Sequence, residues 1–300
     1  MKLFNNLIVN ILPIFPKSFV WLFSKKYIAG TALEDALDTT RELNDSGCSS
    51  TIDVLGEEVM EREKTIQSRD LSIQVLKALN DNNLDGSLSV KLTSLGLRFD
   101  KDLCYENVKT VVKEAKKNNY FIRIDMEDAT CTDDTLEIYR KLRKDFTNVG
   151  AVIQAYMKRS VDDVKKLTDD GIANLRVCKG IYNESPKVAY KDFDKVRENF
   201  MEIIKLMLES QSYTGIATHD IYLIEQSQEL ISQMGIDTSD YEFQMLLGVA
   251  EKTRAELVEQ GNRMRVYVPF GEDWYGYCTR RLKENPKMAG HIIKNIFIRR

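Results

Sequence analysis

Eight strand-like runs separated by helical stretches constrain this 300-residue chain more than any other feature. Apolar or alternating runs at 51–55, 88–93, 121–126, 149–156, 174–178, 215–218, 241–247 and 265–268 read as short strands. Between them, apolar residues recur at helical spacing over 105–117, 133–146, 161–170, 193–209, 221–234 and 250–260. Parallel neighbouring strands need a crossover of a dozen or more residues, and a helix supplies it. Eight such units predict an α/β chain folded as a (β/α)8 TIM barrel. No Pro/Ser-rich linker or fixed-period repeat divides it, so residues 1–300 read as a single domain with 1–48 as an N-terminal helical extension.

Charge and cysteine usage remove several function classes. The net charge is −3 with basic residues dispersed, which leaves nucleic-acid binding without electrostatic support. The five cysteines are far apart, and none forms a CxxC pair. That pattern fits a reducing, cytoplasmic compartment better than a disulfide framework or zinc site. With two histidines, His219 and His291, a multi-His metal site is not expected, and no metal is assigned. Residues 3–23 are apolar but broken by three Asn, two Pro and a Lys, too interrupted to span a bilayer. They read either as short helices on the barrel or as an interfacial segment making peripheral contact with the inner face of the cell membrane, given Phe19, Trp21 and Phe23 beside Lys25 and Lys26.

In a (β/α)8 barrel the active site lies at the C-terminal ends of the strands. Polar groups gather there in this sequence: Lys91, Asp125 and Glu127, Gln154, Arg176 and Lys179, Thr218-His219-Asp220, Glu242 and Gln244, and Tyr267. Strands of this kind should be apolar, so polar side chains at the ends of so many of them point to a site. The stretch 265–285, RVYVPFGEDWYGYCTRRLKEN, adds to it. Pro269 and Gly271 are expected to break its strand, and Asp273 to cap a helix carrying Tyr277, Arg280 and Arg281 on one sector. An Arg-Arg pair is ordinarily a solvated surface feature; over a barrel mouth it could clamp a carboxylate. Lys91, Arg176, Lys179, Arg280 and Arg281 together outweigh Asp125 and Glu57, so an anionic occupant is expected, and Lys91 with Asp125 is read as an ion pair. A lysine Schiff base at Lys91 or Lys179, or a metal held by Asp125, Glu127 and His219, would also suit such a mouth. No GxGxxG follows a strand and no GxxxxGK[ST] occurs. The residues alone reach a barrel enzyme for a small anionic substrate, with the cofactor open.

The motifs go further by resemblance. TIDVLGE (51–57), SVKLTSLG (89–96), IRIDMED (122–128), AVIQAYMKRS (151–160), LRVCKGIY (175–182), IATHD (216–220), YEFQMLLGV (241–249) and YCTRRLKEN (277–285) stand in the order found in proline dehydrogenases of the monofunctional bacterial type. The chain resembles that family over about residues 50–286.

The resemblance implies a distorted barrel whose last helix lies over the mouth, an FAD cofactor, oxidation of L-proline to Δ1-pyrroline-5-carboxylate, and a quinone as electron acceptor. It implies a carboxylate clamp of Lys91, Arg280 and Arg281, with Asp125 as partner of Lys91 and Arg176 beside the flavin N5. Met126, Gln154, Lys179, Gly180, Ile181, Thr218 and His219 are similar in position to FAD contacts. Tyr267 and Tyr277 resemble the walls against the proline ring, Tyr267 disfavouring a ring hydroxyl, and Glu57 resembles an acidic gate that pairs with Arg280. One departure is KGIYNESP, where the family commonly has KGAY followed by Glu-Pro; Ile181 is bulkier and Ser185 intervenes. Other readings are a flavin enzyme of the methylenetetrahydrofolate reductase type, a Schiff-base lyase, and a catalytically silent barrel.

Overall fold

A computed structural model of the protein describes residues 20–21 and 25–278. Its elements are α1 (Leu33–Asp45), β1 (Ser49–Val54), α2 (Arg62–Asp81), β2 (Gly86–Val90), α3 (Lys101–Lys117), β3 (Ile122–Ile124), α4 (Thr132–Arg143) and β4 (Val149–Gln154). They continue with α5 (Ser160–Asp169), β5 (Asn174–Cys178), α6 (Phe193–Glu209), β6 (Tyr213–Ala217), α7 (Ile221–Met234), β7 (Tyr241–Leu246), α8 (Glu251–Glu259) and β8 (Met264–Phe270). The strands form a closed parallel barrel in sequence order, β8 pairing back onto β1. This is the (β/α)8 barrel predicted from the strand count.

Alternation within each strand splits the barrel wall into two chemistries. One set, including Ile52, Leu88, Ile122, Ile124, Leu175, Val177, Phe243 and Val266, is fully buried in the main apolar core. The helices supply its other side with Leu76 and Leu79 from α2, Val108 and Val111 from α3, Tyr139 from α4, and Phe200 and Ile203 from α6. Each such apolar side chain contributes about 1.5–3 kcal/mol by leaving water. The intervening set, Thr51 and Asp53, Ser87 and Ser89, Arg123 and Asp125, Arg176, Glu242 and Gln244, Arg265 and Tyr267, lines cavities inside the barrel or bonds across it. Interiors of such barrels are ordinarily filled by bulky branched residues, so this polar interior is a feature of the chain.

Helix termini follow local chemistry. Asp100 caps α3, accepting from the backbone N–H of Asp102 and Leu103, and Asp192 caps α6 in the same way through Asp194 and Lys195. The helix α1 lies within residues 1–48, read above as a helical extension; it places Ala36, Leu37, Thr40 and Leu43 on its buried face and packs against β1 and β8. It therefore covers the outer wall beside the β8–β1 seam, where the helix following β8 would otherwise pack. Residues 274–278 begin that following helix, and their Tyr277 reaches the cavity at the barrel mouth.

Two expectations are corrected. Pro269 does not end β8, which runs through it to Phe270. Pairing with β7 stops at Tyr267, and beyond it residues 29–30 lie alongside, the Ala29 N–H donating to the Pro269 carbonyl, so the missing proline N–H interrupts no β7–β8 ladder bond. The helix α2, 20 residues long, was also missed; its weak amphipathicity leaves buried Thr65 and Ser72 among its core positions. Among the described residues no helix is long and apolar enough to cross a membrane.

Candidate active site

A cavity of about 490 Å³ opens at the C-terminal ends of the strands. Asp53 and Lys91 bring charge to it from β1 and from just past β2. Asp125 and Met126 follow β3, Gln154 ends β4, and Arg176, Lys179, Gly180 and Ile181 come from β5 and the turn after it. Thr218 and His219 follow β6, Tyr267 is on β8, and Glu57 and Tyr277 approach from the segments after β1 and β8. The residues that the family resemblance assigns, where they lie among the described residues, thus line one cavity, whereas Glu127 and Glu242 of the polar strand ends do not. Arg280 and Arg281 lie outside the described residues.

Asp125 is the hub. Its Oδ1 accepts from Ser89 Oγ at 2.6 Å and from Arg176 Nη1 at 2.8 Å, and its Oδ2 accepts from the Tyr267 hydroxyl at 2.7 Å. Arg176 also lies 5.2 Å from the Tyr267 ring centroid, a cation–π contact, so the three side chains fix one another. Burial, with the charges of Asp125 and Asp53, pushes the Tyr267 phenol well above its ordinary value; it stays protonated and donates.

The expected ion pair of Lys91 with Asp125 is present, and a nearer carboxylate joins it. Its ammonium sits 2.6 Å from Asp53 Oδ1 and 3.9 Å from Asp125 Oδ2, so Asp53 is the nearer partner. Asp125 already serves three donors, which leaves the fully buried Asp53 to take the lysine. Burial works to lower the Lys91 pKa, but the charges of Asp53 and Asp125 outweigh it and hold the ammonium above its usual value. Burial raises the Asp53 carboxyl despite the lysine beside it. Asp53 is absent from the candidates above; its signal is the alternation in Thr51-Ile52-Asp53, which turns it inward.

The opposite wall carries a second ionic group, of which strand-end reading named Lys179 and Asp220 but not Arg197. Asp220 accepts from Lys179 Nζ at 3.1 Å and from Arg197 Nε and Nη2 at 2.9 and 2.8 Å. Arg197, on α6, stacks on Phe193 and Tyr222, and Lys179 lies over Phe193. Burial opposes ionisation of Asp220, but these two cations win and hold it below the usual carboxylate range. Arg197, inside a helix and remote in sequence from the strand ends, gave no local signal of this. His219 Nε2 accepts from the Leu246 backbone N–H at 2.9 Å, which requires that nitrogen to be unprotonated. Gln154 donates to the Met126 carbonyl at 3.0 Å. Glu127, considered as a metal ligand, turns away from the cavity and accepts from the backbone and hydroxyl of Thr93.

Two consequences follow for an occupant. Among the described residues Lys91, Arg176 and Lys179 face Asp53, Glu57, Asp125 and Asp220, so the expected positive excess is not made by them. Lys91 is held by the carboxylate of Asp53, which argues against a free amine for Schiff-base formation. Gly180 has φ +102°, and a Cβ there would lie 2.2 Å from the Tyr156 ring, so the backbone of the cavity wall packs against the ring where no side chain fits.

An eight-stranded parallel barrel with ionised groups converging at its strand ends has the build of a barrel enzyme. The family description "Proline dehydrogenase" matches residues 36–293, and the chain belongs to that family. It is 39% identical over 275 residues to Proline dehydrogenase 1 of Bacillus subtilis subsp. natto, covering 92% of this chain and 91% of the relative. It is 34% identical over 282 residues to Proline dehydrogenase of Deinococcus radiodurans, covering 92% and 91%. Among solved structures, proline utilization A from Bdellovibrio bacteriovorus, inactivated by N-propargylglycine, superposes with a TM-score of 0.86 at 23% identity. That match covers 95% of this chain and 36% of the larger one, and concerns the fold.

Proposed function

We propose that this protein oxidises L-proline to Δ1-pyrroline-5-carboxylate with FAD as its cofactor and a quinone as the final electron acceptor. The observation that carries the reading is the single cavity that joins Lys91, Asp125, Arg176 and Tyr267 on one side to Lys179, Gly180, Thr218 and His219 on the other. Its volume is in the range of pockets for ligands much larger than one small amino acid, so proline alone would leave most of it empty. A flavin fits the donor set. Arg176 offers fixed positive charge, and the Gln154 side chain and the 218–220 turn offer polar contacts.

FAD, when bound, supplies at N5 the acceptor for the hydride leaving proline Cδ, and a quinone takes the electrons onward. The protein's own residues do the rest. Lys91, held by Asp53, presents an ammonium to the substrate carboxylate, and Arg280 and Arg281 complete the clamp. Tyr267, its hydroxyl on Asp125, walls the ring, with Tyr277 opposite and Glu57 at the entrance. Arg176, fixed by Asp125, stabilises negative charge developing beside it. Met126, Gln154, Lys179, Ile181, Thr218 and His219 hold the cofactor. This arrangement orients the reactants and excludes water.

The test is the visible spectrum. Purified protein should carry flavin absorbance that bleaches anaerobically on adding L-proline. Flavin that is retained but indifferent to proline would point instead to another flavin-dependent barrel enzyme, and colourless protein that FAD cannot reconstitute would remove the flavin reading altogether.

A further inference from the structure

We propose that Gln244 is a positioning residue for Arg176, and that it acts as the upper end of a buried chain running from Arg265 through Glu242. The inference rests on the reading that Arg176 stands beside the cofactor.

The chain is continuous. Arg265 Nε donates to Glu242 Oε1 at 2.8 Å, Gln244 Nε2 donates to the same oxygen at 2.6 Å, and Gln244 Oε1 accepts from Arg176 Nε at 2.5 Å. All four side chains sit inside the barrel, Glu242 2% and Gln244 6% exposed. Arg176 and Gln244 also border both barrel cavities, the mouth cavity and one of about 200 Å³ lined by Arg123, Glu242 and Arg265. They form the partition between the two.

Chemistry gives the chain a direction. An ionised carboxylate only accepts, so the Gln244 amide must turn its NH2 toward Glu242. That leaves its carbonyl oxygen facing β5, where the Arg176 Nε–H meets it. Burial opposes charge on Glu242, but Arg265 overcomes it and holds the carboxyl below its ordinary value. The ion pair deep in the barrel thus selects the amide orientation, and the amide fixes the guanidinium about its Nε. Asp125 fixes the same guanidinium through Nη1, so Arg176 is held from two sides.

Space for the contact is reserved in β6. The residue paired with Arg176 there is Gly215. A Cβ at that position would lie 2.7 Å from Gln244 Nε2 and 3.4 Å from Arg176 Cα. The glycine is needed for Gln244 to lie against Arg176.

The experiment uses Gln244→Met, which keeps an unbranched side chain of similar size and removes both hydrogen-bonding ends. The first readout is solvent exchange of the Arg176 Nε–H by 15N–1H NMR, assigned through Arg176→Lys. Exchange should accelerate about tenfold or more in Gln244→Met, and unchanged exchange would overturn the proposal. The second is the flavin midpoint potential, titrated with dithionite, alongside steady-state kinetics. Positioning predicts a more negative potential and a kcat lowered about tenfold, with KM for L-proline changed by less than about threefold. Faster exchange with an unmoved potential and kcat would make Gln244 merely structural and would equally overturn it. If the wild-type protein takes up no flavin, the functional reading falls, while the exchange measurement still decides whether Gln244 holds Arg176.

Discussion

Asp53 holds Lys91 at 2.6 Å, while Asp125, the partner expected from the motif, stands 3.9 Å away and binds Arg176, Ser89 and Tyr267 instead. The ammonium is therefore anchored from β1 and the guanidinium from β3. Asp53→Asn should raise KM for L-proline about tenfold or more, the scale of one lost hydrogen bond to a charged group, with a smaller effect on kcat. Because Asp53 acts through Lys91, Lys91→Met combined with Asp53→Asn should be no worse than Lys91→Met alone. Steady-state kinetics of the four proteins check this, and additive losses would show that Asp53 acts independently of the lysine.

The pH profile separates substrate from protein. The proline amine must be neutral before hydride can leave, so kcat/KM should rise from neutral toward alkaline pH. Lys91 has a folded pKa above its ordinary value, because Asp53 and Asp125 outweigh the effect of burial. Its stabilising contact is fully present below the unfolded lysine pKa of about 10.4 and is lost as pH rises through the higher folded value. No lysine-dependent fall in activity or in Tm should appear before about pH 10.4. A flat profile between neutral and alkaline pH would count against the amine requirement, and an alkaline fall in Tm abolished by Lys91→Met but centred well below that pH would count against the lysine's environment.

Acid stability should depend on Glu242. Burial raises its pKa and Arg265 lowers it further than burial raises it, leaving a net depression. A depressed carboxyl contributes stability present above its unfolded pKa of about 4.3 and lost as pH falls through the folded value. Glu242→Gln leaves Arg265 buried without its carboxylate and should cost about 3–5 kcal/mol at neutral pH. Urea unfolding at several pH values reads this: the gap between wild type and variant should close on acidification below about pH 4. A gap that does not change with pH would mean that the Glu242 charge is not the source.

Gly180→Ala tests the cavity wall. The residue has φ +102°, and the added methyl would fall 2.2 Å from the Tyr156 ring, a rigid neighbour. Backbone strain alone costs about 1–3 kcal/mol, and the 179–181 turn must shift to relieve the clash. The purified variant should carry less flavin per chain, measured as visible against protein absorbance, and lose affinity on reconstitution with FAD. Full flavin occupancy with normal affinity would remove this turn from the cofactor contacts.

Arg281→Met tests the clamp. Truncating one partner of a buried charge pair costs about 2–5 kcal/mol, so KM for L-proline should rise at least about thirtyfold while flavin content stays normal. An unchanged KM would sink the clamp assignment. Arg280→Met, at the position that the family resemblance pairs with the acidic Glu57, should be milder.

The amino-acid sequence by itself determined the barrel. Strand and helix periodicities are local properties of the chain, and eight alternations leave little but closure of a parallel sheet. It also determined most of the mouth, because inward alternation and strand-end position place Lys91, Asp125, Arg176 and Tyr267 without knowledge of their partners. The partners were decided only in three dimensions. Asp53 takes Lys91 because β1 and β2 lie side by side and Asp125 is already saturated. Arg197 reaches Asp220 because α6 packs beside the turn after β6. Gln244 meets Arg176 across a strand whose intervening residue is glycine. β8 passes through Pro269 because its neighbour β7 has already ended. A hydrogen bond between residues far apart in sequence carries no periodic trace, since competition among donors and acceptors is settled by distance, and distance exists only once the barrel has closed.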